Sequence, residues 1–161
     1  MSKNKLNPTK NSLSADARTK VIALLNAALA DLSDLYSQSK QAHWNVRGKN
    51  FYAHHLLFDQ VAESVEGHID EIAERATQLG GYAEGTVRMA AGSSRLPEFP
   101  ANARTPADCV TALVARFAAA ANAVREAIAA ADDAGDKDTA DLFTEVSRDL
   151  DKSLWFLEAS E

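Results

Sequence analysis

Apolar residues in this chain return every three or four positions in four separate runs, and no stretch alternates in the manner of a strand. The first run is Val21, Leu24, Leu25, Ala28, Leu32, Leu35 and Tyr36. Ser14 stands before it as an N-cap with Asp16 in the first turn, and the helix is expected to end near His43. A turn over Asn45 to Lys49 with Gly48 inside it leads to Asn50, placed to cap a second helix. Its buried stripe is Phe58, Val61, Val65, Ile69, Ile72, Ala76 and Leu79, and Gly80 and Gly81 stop it. Residues 82–104 hold Gly85, Gly92, Pro97, Pro100 and the Ser93/Ser94 pair, which leave room only for a short helix over Thr86 to Ala91. Thr105, Pro106 and Asp108 then supply N-cap, N1 proline and N3 acid for a third long helix carrying Val110, Leu113, Val114, Phe117, Ala121, Val124 and Ile128. Gly135 ends it, and a fourth opens near Asp138 or Thr139 with Leu142, Phe143, Val146, Leu150, Leu154 and Leu157 facing inward. Short turns make antiparallel neighbours, whereas a connection of more than twenty residues can cross a bundle end to end. The expected fold is therefore an all-α four-helix bundle over residues 13–161, with its second and third long helices parallel, preceded by a mobile lysine-containing arm over residues 1–12.

The polar face of the second helix changes this picture. At 100° per residue, His55, Asp59, Glu63, Glu66, Asp70 and Glu74 share one stripe. His43, at the end of the first helix, can reach the same end of the second helix across the tight turn. Two imidazoles and the Asp59 carboxylate make an N,N,O donor set that suits iron, zinc or manganese, with redox iron favoured by the hard oxygen donor. His55 and Asp59 stand fifteen residues from Asp70 and Glu74, about 22 Å along a helix, so no single ion spans both. An antiparallel copy of the helix, related by a twofold near Ser64 and Val65, would bring Asp70 and Glu74 of one chain to the His55 and Asp59 end of the other. No histidine has a glutamate three residues before it, so the Glu-x-x-His pattern of an intrasubunit di-iron bundle is not expected.

Each of these residues also has an ordinary reading. Carboxylates four apart are most often a solvated helix face, and a covered histidine is most often a hydrogen-bonded core group. His54 and His68 fall off the stripe and read as surface residues, and Glu63 and Glu66 as interface polar groups. Trp44 and Trp155 read as packing residues, and Cys109 as an inert buried thiol.

Composition narrows the class. The 161 residues are 46% hydrophobic, enough for one domain with a core. A single cysteine excludes an internal disulfide and a thiolate zinc site, which favours a reducing compartment. The polar start lacks a signal-like apolar stretch and no run approaches membrane-spanning length, so a soluble cytoplasmic protein without a membrane partner is expected. A net charge of −6 argues against a generally nucleic-acid-binding surface, leaving local patches such as Lys3, Lys5 and Lys10 in the arm.

The segments KQAHWNVRG, FYAHHLLFD, HIDEIAERATQLGG and SRDLDKSLWFLE resemble the Dps family, the mini-ferritins of the ferritin-like superfamily, and the likeness runs from about Ser14 to Glu158. Its most specific part is HW, then HxxxD, then DxxxE followed by Arg75 and the Gly80/Gly81 pair. The resemblance implies a ferritin-like bundle and a hollow homo-dodecamer. It implies oxidation of Fe²⁺, preferentially with hydrogen peroxide, and storage of the ferric product. It makes His43, His55 and Asp59 catalytic metal ligands from one subunit, and Asp70 and Glu74 ligands from its twofold mate. It also places Trp44 beside the site as an oxidisable indole. By the same likeness Asp136 and Asp141, in the acidic run DDAGDKDTAD, are candidates for lining a threefold pore.

Family members often bind DNA non-specifically through lysine-rich tails, which makes Lys3, Lys5 and Lys10 the candidate contacts. No C-terminal tail is expected after the matched fourth helix. Two other classes remain at this point: a nucleoid-compacting cage with a structural metal such as zinc, and a plain helical interaction module with solvated acids.

Overall fold

The computed structural model describes residues 5–160, which hold five helices and no strand. These are α1 (Ala15–Asn45), α2 (Phe51–Gln78), α3 (Val87–Ser93), α4 (Pro106–Asp133) and α5 (Lys137–Glu158). The caps act locally and early. Ser14 accepts from Ala17 N, Thr86 from Met89 N, and Thr105 and Asp108 close the reciprocal box that the sequence indicates, with Pro106 at N1. Two boundaries differ from expectation. α1 runs on to Asn45, two residues past His43, and α5 begins at Lys137 because Asp136 caps it by accepting from Thr139 N. Asn50 holds the N-cap position of α2 without capping by its side chain. Its backbone is left-handed, at φ 60 and ψ 25, and closes the turn instead.

Side-chain pairings between elements fix the directions. Lys40 meets Asp59 while Arg18 meets Leu79 O, so α1 and α2 are antiparallel. Ser64 meets Ser153, His68 meets Asp149 and Arg75 meets Asp136, so α2 and α5 are antiparallel. α4 returns against α5 through the short turn at Gly135, which leaves α2 and α4 parallel as the long crossover requires. One continuous core runs through the bundle, with Phe58, Phe117 and Phe143 fully buried at its centre. α4 is the only helix among the described residues long and apolar enough to cross a membrane by length and hydropathy, yet half of that stretch is buried in the bundle.

The crossover is laced to α1 by polar contacts. Asp31, buried, accepts from the backbone N, Nε and Nη2 of Arg95 at 2.6–2.9 Å, Asp34 takes the Ser94 hydroxyl at 2.6 Å, and Gln38 donates to Pro97 O. This lacing seats α3 against α1 and leaves Val87 pointing outward.

The segment expected as a free arm is instead attached over its described part. Asn7 N donates to Gly80 O at 2.8 Å, and Leu6 and Leu13 pack against the core. Those two leucines supply the apolar anchor that its polar composition conceals. Lys5 and Lys10 are exposed on this attached segment, and Lys3 lies outside the described residues.

Gly80 is what lets the segment approach. It sits at φ +85, and a Cβ there would stand 2.6 Å from Asn7 O. Gly80→Ala is therefore expected to cost at least about 1–2 kcal/mol from the left-handed backbone alone. It should also release the segment, which thermal unfolding and proteolysis near residues 5–13 would register; an unchanged melting temperature and cleavage pattern would refute the clamp.

Candidate metal centre

The short turn between α1 and α2 brings the last turn of one helix against the first turns of the next. His43 Nδ1 bonds His55 O at 2.8 Å, and His55 Nδ1 bonds His43 O at 2.9 Å. The two rings stack with centroids 3.8 Å apart and planes at 21°. A carbonyl oxygen only accepts, so both Nδ1 atoms carry the proton. In the neutral tautomer each Nε2 then presents a lone pair, and neither Nε2 has a hydrogen-bond partner among the described residues. Ring-nitrogen donation to a carbonyl behind the ring is the standard support of a metal-ligating histidine. Phe51 closes the outer side of the His55 ring, with centroids 5.2 Å apart.

Asp59, one turn beyond His55 on α2, completes the cluster. Its Oδ1 lies 3.8 Å from His43 Nδ1 and accepts from the Lys40 ammonium, while Oδ2 takes no hydrogen bond among the described residues. The Lys40 contact holds the Asp59 carboxyl below the usual carboxylate range, with His43 and His55 adding smaller contributions, and the same contact raises Lys40. Asp59 is thus a carboxylate rather than an acid at neutral pH. Lys40 was not legible as part of the site, although its place three residues before His43 puts both on one helix face.

Asp70 and Glu74 stand at the far end of α2, exposed, and neither side chain hydrogen-bonds a neighbour among the described residues. Among the described residues of one chain no group of three His, Cys, Asp or Glu side chains is arranged to hold an ion. The chain therefore presents two half-sets: paired imidazoles with Asp59 at one end, and two free carboxylates at the other.

Other residues singled out by sequence fall differently. His68 is not a surface residue. It is buried between α2 and α5, with Nδ1 3.0 Å from Glu71 and Nε2 2.9 Å from Asp149. Trp44 and Trp155 do not pack into the core; both are largely exposed, on outward helix faces, and Trp44 lines an apolar groove with Lys40, Tyr36 and Val87. Glu63, Glu66 and His54 lie at or near the surface.

Asp136 is not a free pore acid, being only 2% exposed. It caps α5 and pairs with Arg75 Nη2 at 2.8 Å, because the N-cap geometry folds its carboxylate back over the helix start. Asp141 is exposed on α5. Cys109 is a buried free thiol that burial pushes up, in keeping with an inert core group.

Known proteins agree with this architecture. The Ferritin-like domain profile matches residues 22–160. The DNA protection during starvation protein of Agrobacterium fabrum is 46% identical over 155 residues, 96% of each chain, and its namesake in Brevibacillus brevis is 32% identical over 86% of this chain and 93% of that one. Among solved structures, DpsC from Streptomyces coelicolor superposes with a TM-score of 0.91 at 31% identity, covering 96% of this chain and 91% of its own. An archaeal Dps homologue from Halobacterium salinarum also gives 0.91, at 27% identity, over 97% and 87%. With a ferritin-like bundle and relatives of this kind over nearly its whole length, the chain belongs to the Dps family of the ferritin-like domain.

Proposed function

We propose that this protein is a ferroxidase and iron-storage cage: a homo-dodecamer in the cytoplasm that oxidises Fe²⁺ with hydrogen peroxide and sequesters the ferric product, which protects DNA from oxidative damage. The observation that carries the reading is the reciprocal pair of imidazole–carbonyl bonds through Nδ1, which leaves both Nε2 atoms without a hydrogen-bond partner among the described residues, beside an Asp59 whose carboxyl Lys40 holds below the usual range. Nothing in bundle packing demands that arrangement, whereas a divalent ion does. Relatives named for DNA protection during starvation support the same reading.

An antiparallel partner α2 would place the exposed Asp70 and Glu74 of the second chain over the two imidazoles and Asp59. Two imidazoles and three carboxylates would then surround one substrate ion, with the hard carboxylates favouring the ferric product. Zinc or manganese could occupy the same donors as substitutes. Each ferrous ion yields one electron, and two such electrons cleave one peroxide O–O bond. The groove beside Lys40, lined by Tyr36, Trp44, Ile69, Val87 and Ala90, is the apolar surface that the second copy would cover. Trp44, which lines that groove, would serve as the oxidisable indole. Light scattering on the purified protein is expected to give a particle of about twelve subunits. A stable monomer with full ferroxidase activity would refute both the cage and the shared site.

DNA binding is proposed as a second activity, non-specific and dependent on the N-terminal lysines. The Asn7–Gly80 bond keeps Lys5 and Lys10 near the acidic body, so each copy contributes a small patch and affinity depends on the repetition of that patch over the cage. Gel retardation is expected to weaken steeply with salt and to vanish when residues 1–12 are removed, while iron oxidation survives. Unchanged retardation after truncation would place the contact elsewhere.

A further inference from the structure

Arg116 carries a charge that its surroundings do not answer. It lies on α4 and is only 7% exposed. Nε donates to Gln38 Oε1 at 3.1 Å, Nη1 to Ala112 O at 3.0 Å and Nη2 to Glu98 O, so all three acceptors are neutral oxygens. Arg75, Arg95 and Arg125 each pair with a carboxylate, whereas Arg116 pairs with none among the described residues. Burial pushes the guanidinium down, and the charge that opposes this push is Asp34. Both Asp34 oxygens are already engaged, by Gln38 Nε2 at 3.1 Å and by the Ser94 hydroxyl at 2.6 Å. A guanidinium has five N–H groups, and these three bonds leave one on Nη1 and one on Nη2. Two hydrogens on neighbouring nitrogens can serve two oxygens of one anion.

Arg116 also lines a cavity of about 430 Å³ between the end of the crossover and the first turns of α4, walled by Pro100, Asn102, Thr111 and Ala115. That volume suits a small ligand. Asp108 stands at its exposed rim, with Oδ2 turned into the cap on Thr105 N. We propose that this cavity is an oxyanion site, in which Arg116 takes two oxygens of inorganic phosphate, or of a tetrahedral oxyanion of the same size, and Thr111 and Asn102 donate to the others. The cavity shares no residue with the metal centre. A buried cation whose partners are all neutral is costly to the fold, and an anion in the cavity supplies the missing charge. The three acceptors fix the guanidinium before any anion arrives, so little ordering cost remains for binding. Those acceptors belong to α1, the crossover and α4, so an occupied site ties all three elements together. A free ion fits better than a phosphate within a nucleic-acid backbone, because the guanidinium lies beneath the surface where a chain of diesters cannot follow.

The test is calorimetric titration of the assembled, metal-stripped protein with inorganic phosphate, at an ionic strength held constant with sodium chloride. One phosphate per subunit is expected, with a rise in melting temperature that an equal addition of chloride does not give. Arg116→Gln should weaken binding at least about tenfold, and Arg116→Lys, which keeps the charge but loses the fork, should weaken it severalfold. Asp108→Asn should tighten binding severalfold, since it removes a charge of the anion's own sign from the rim. Dimethyl phosphate, which stands in for a nucleic-acid backbone, should bind at least about tenfold more weakly than phosphate. Light scattering checks that each variant remains assembled, and Thr111→Val, on the exposed wall, serves if the Arg116 variants do not assemble; it should weaken binding severalfold. A wild-type cage that takes up phosphate no better than chloride overturns the proposal, because Arg116 is then satisfied by its carbonyls or by a neighbouring copy. Phosphate binding that is untouched by Arg116→Gln, or by both Thr111→Val and Asp108→Asn, overturns it equally. Dimethyl phosphate binding as tightly as phosphate overturns the assignment to a free ion.

Discussion

Neither His55→Ala nor Glu74→Ala is expected to retain rapid iron oxidation, yet a co-assembled mixture of the two should recover about a quarter of wild-type activity. Each substitution alone removes one ligand from every site of a homo-oligomer. Across a mixed twofold interface, one of the two sites collects both defects and the other keeps an intact His55 and an intact Glu74. Random mixing makes half of the interfaces mixed and half of their sites whole, which gives about a quarter. The separation of the two half-sets along α2 requires this outcome, because no rearrangement within one chain closes a gap of about 22 Å. Ferric absorbance after anaerobic Fe²⁺ and then peroxide measures it. Mass analysis confirming mixed particles, together with no recovered activity, would refute the intersubunit placement of Asp70 and Glu74.

Asp136→Ala is expected to destabilise the fold by about 3–5 kcal/mol, the cost of leaving one member of a buried ion pair without its partner. Asp136 is 2% exposed and the Arg75 side chain 13%, so solvent cannot easily replace the lost carboxylate. The same substitution strips the N-cap of α5 and leaves Thr139 N without its acceptor. Arg75 also bonds Thr139 Oγ1 at 2.9 Å, so the joint between the end of α2 and the start of α5 loosens next to Glu74. Denaturant unfolding should show the loss in protein that has never met iron. A variant of normal stability with slower iron uptake would return Asp136 to the role of a pore acid. Asp141→Asn, on the exposed face of α5, serves as the comparison expected to leave stability nearly unchanged.

Much of the fold was legible because local chemistry and helical periodicity agree. The Thr105/Asp108 box forms as the residues indicate, and the glycines at 80 and 135 adopt the positive φ that ends α2 and α4. Phe58, Val65 and Ile72 lie in the core where their spacing places them. Where reading by position failed, a contact distant in sequence had decided. His68 falls beside the polar stripe, but Asp149 on α5 draws it into the α2–α5 seam, 81 residues away. Leu6 looks too isolated to hold an arm until Gly80 O is seen to receive Asn7 N.

The candidate site divides in the same way. Residue types and spacing alone determined that His43, His55 and Asp59 could meet at one end of the second helix, and that Asp70 and Glu74 could not join them within one chain; helix rise and pitch suffice for both. Only the tertiary structure decided that each imidazole donates Nδ1–H to the other's backbone carbonyl, that Lys40 holds Oδ1 of Asp59, and that Asp136 is buried against Arg75. Periodicity states which face of a helix a residue occupies, whereas a hydrogen bond depends on the distance and angle between two elements, and those are set by how the whole core packs.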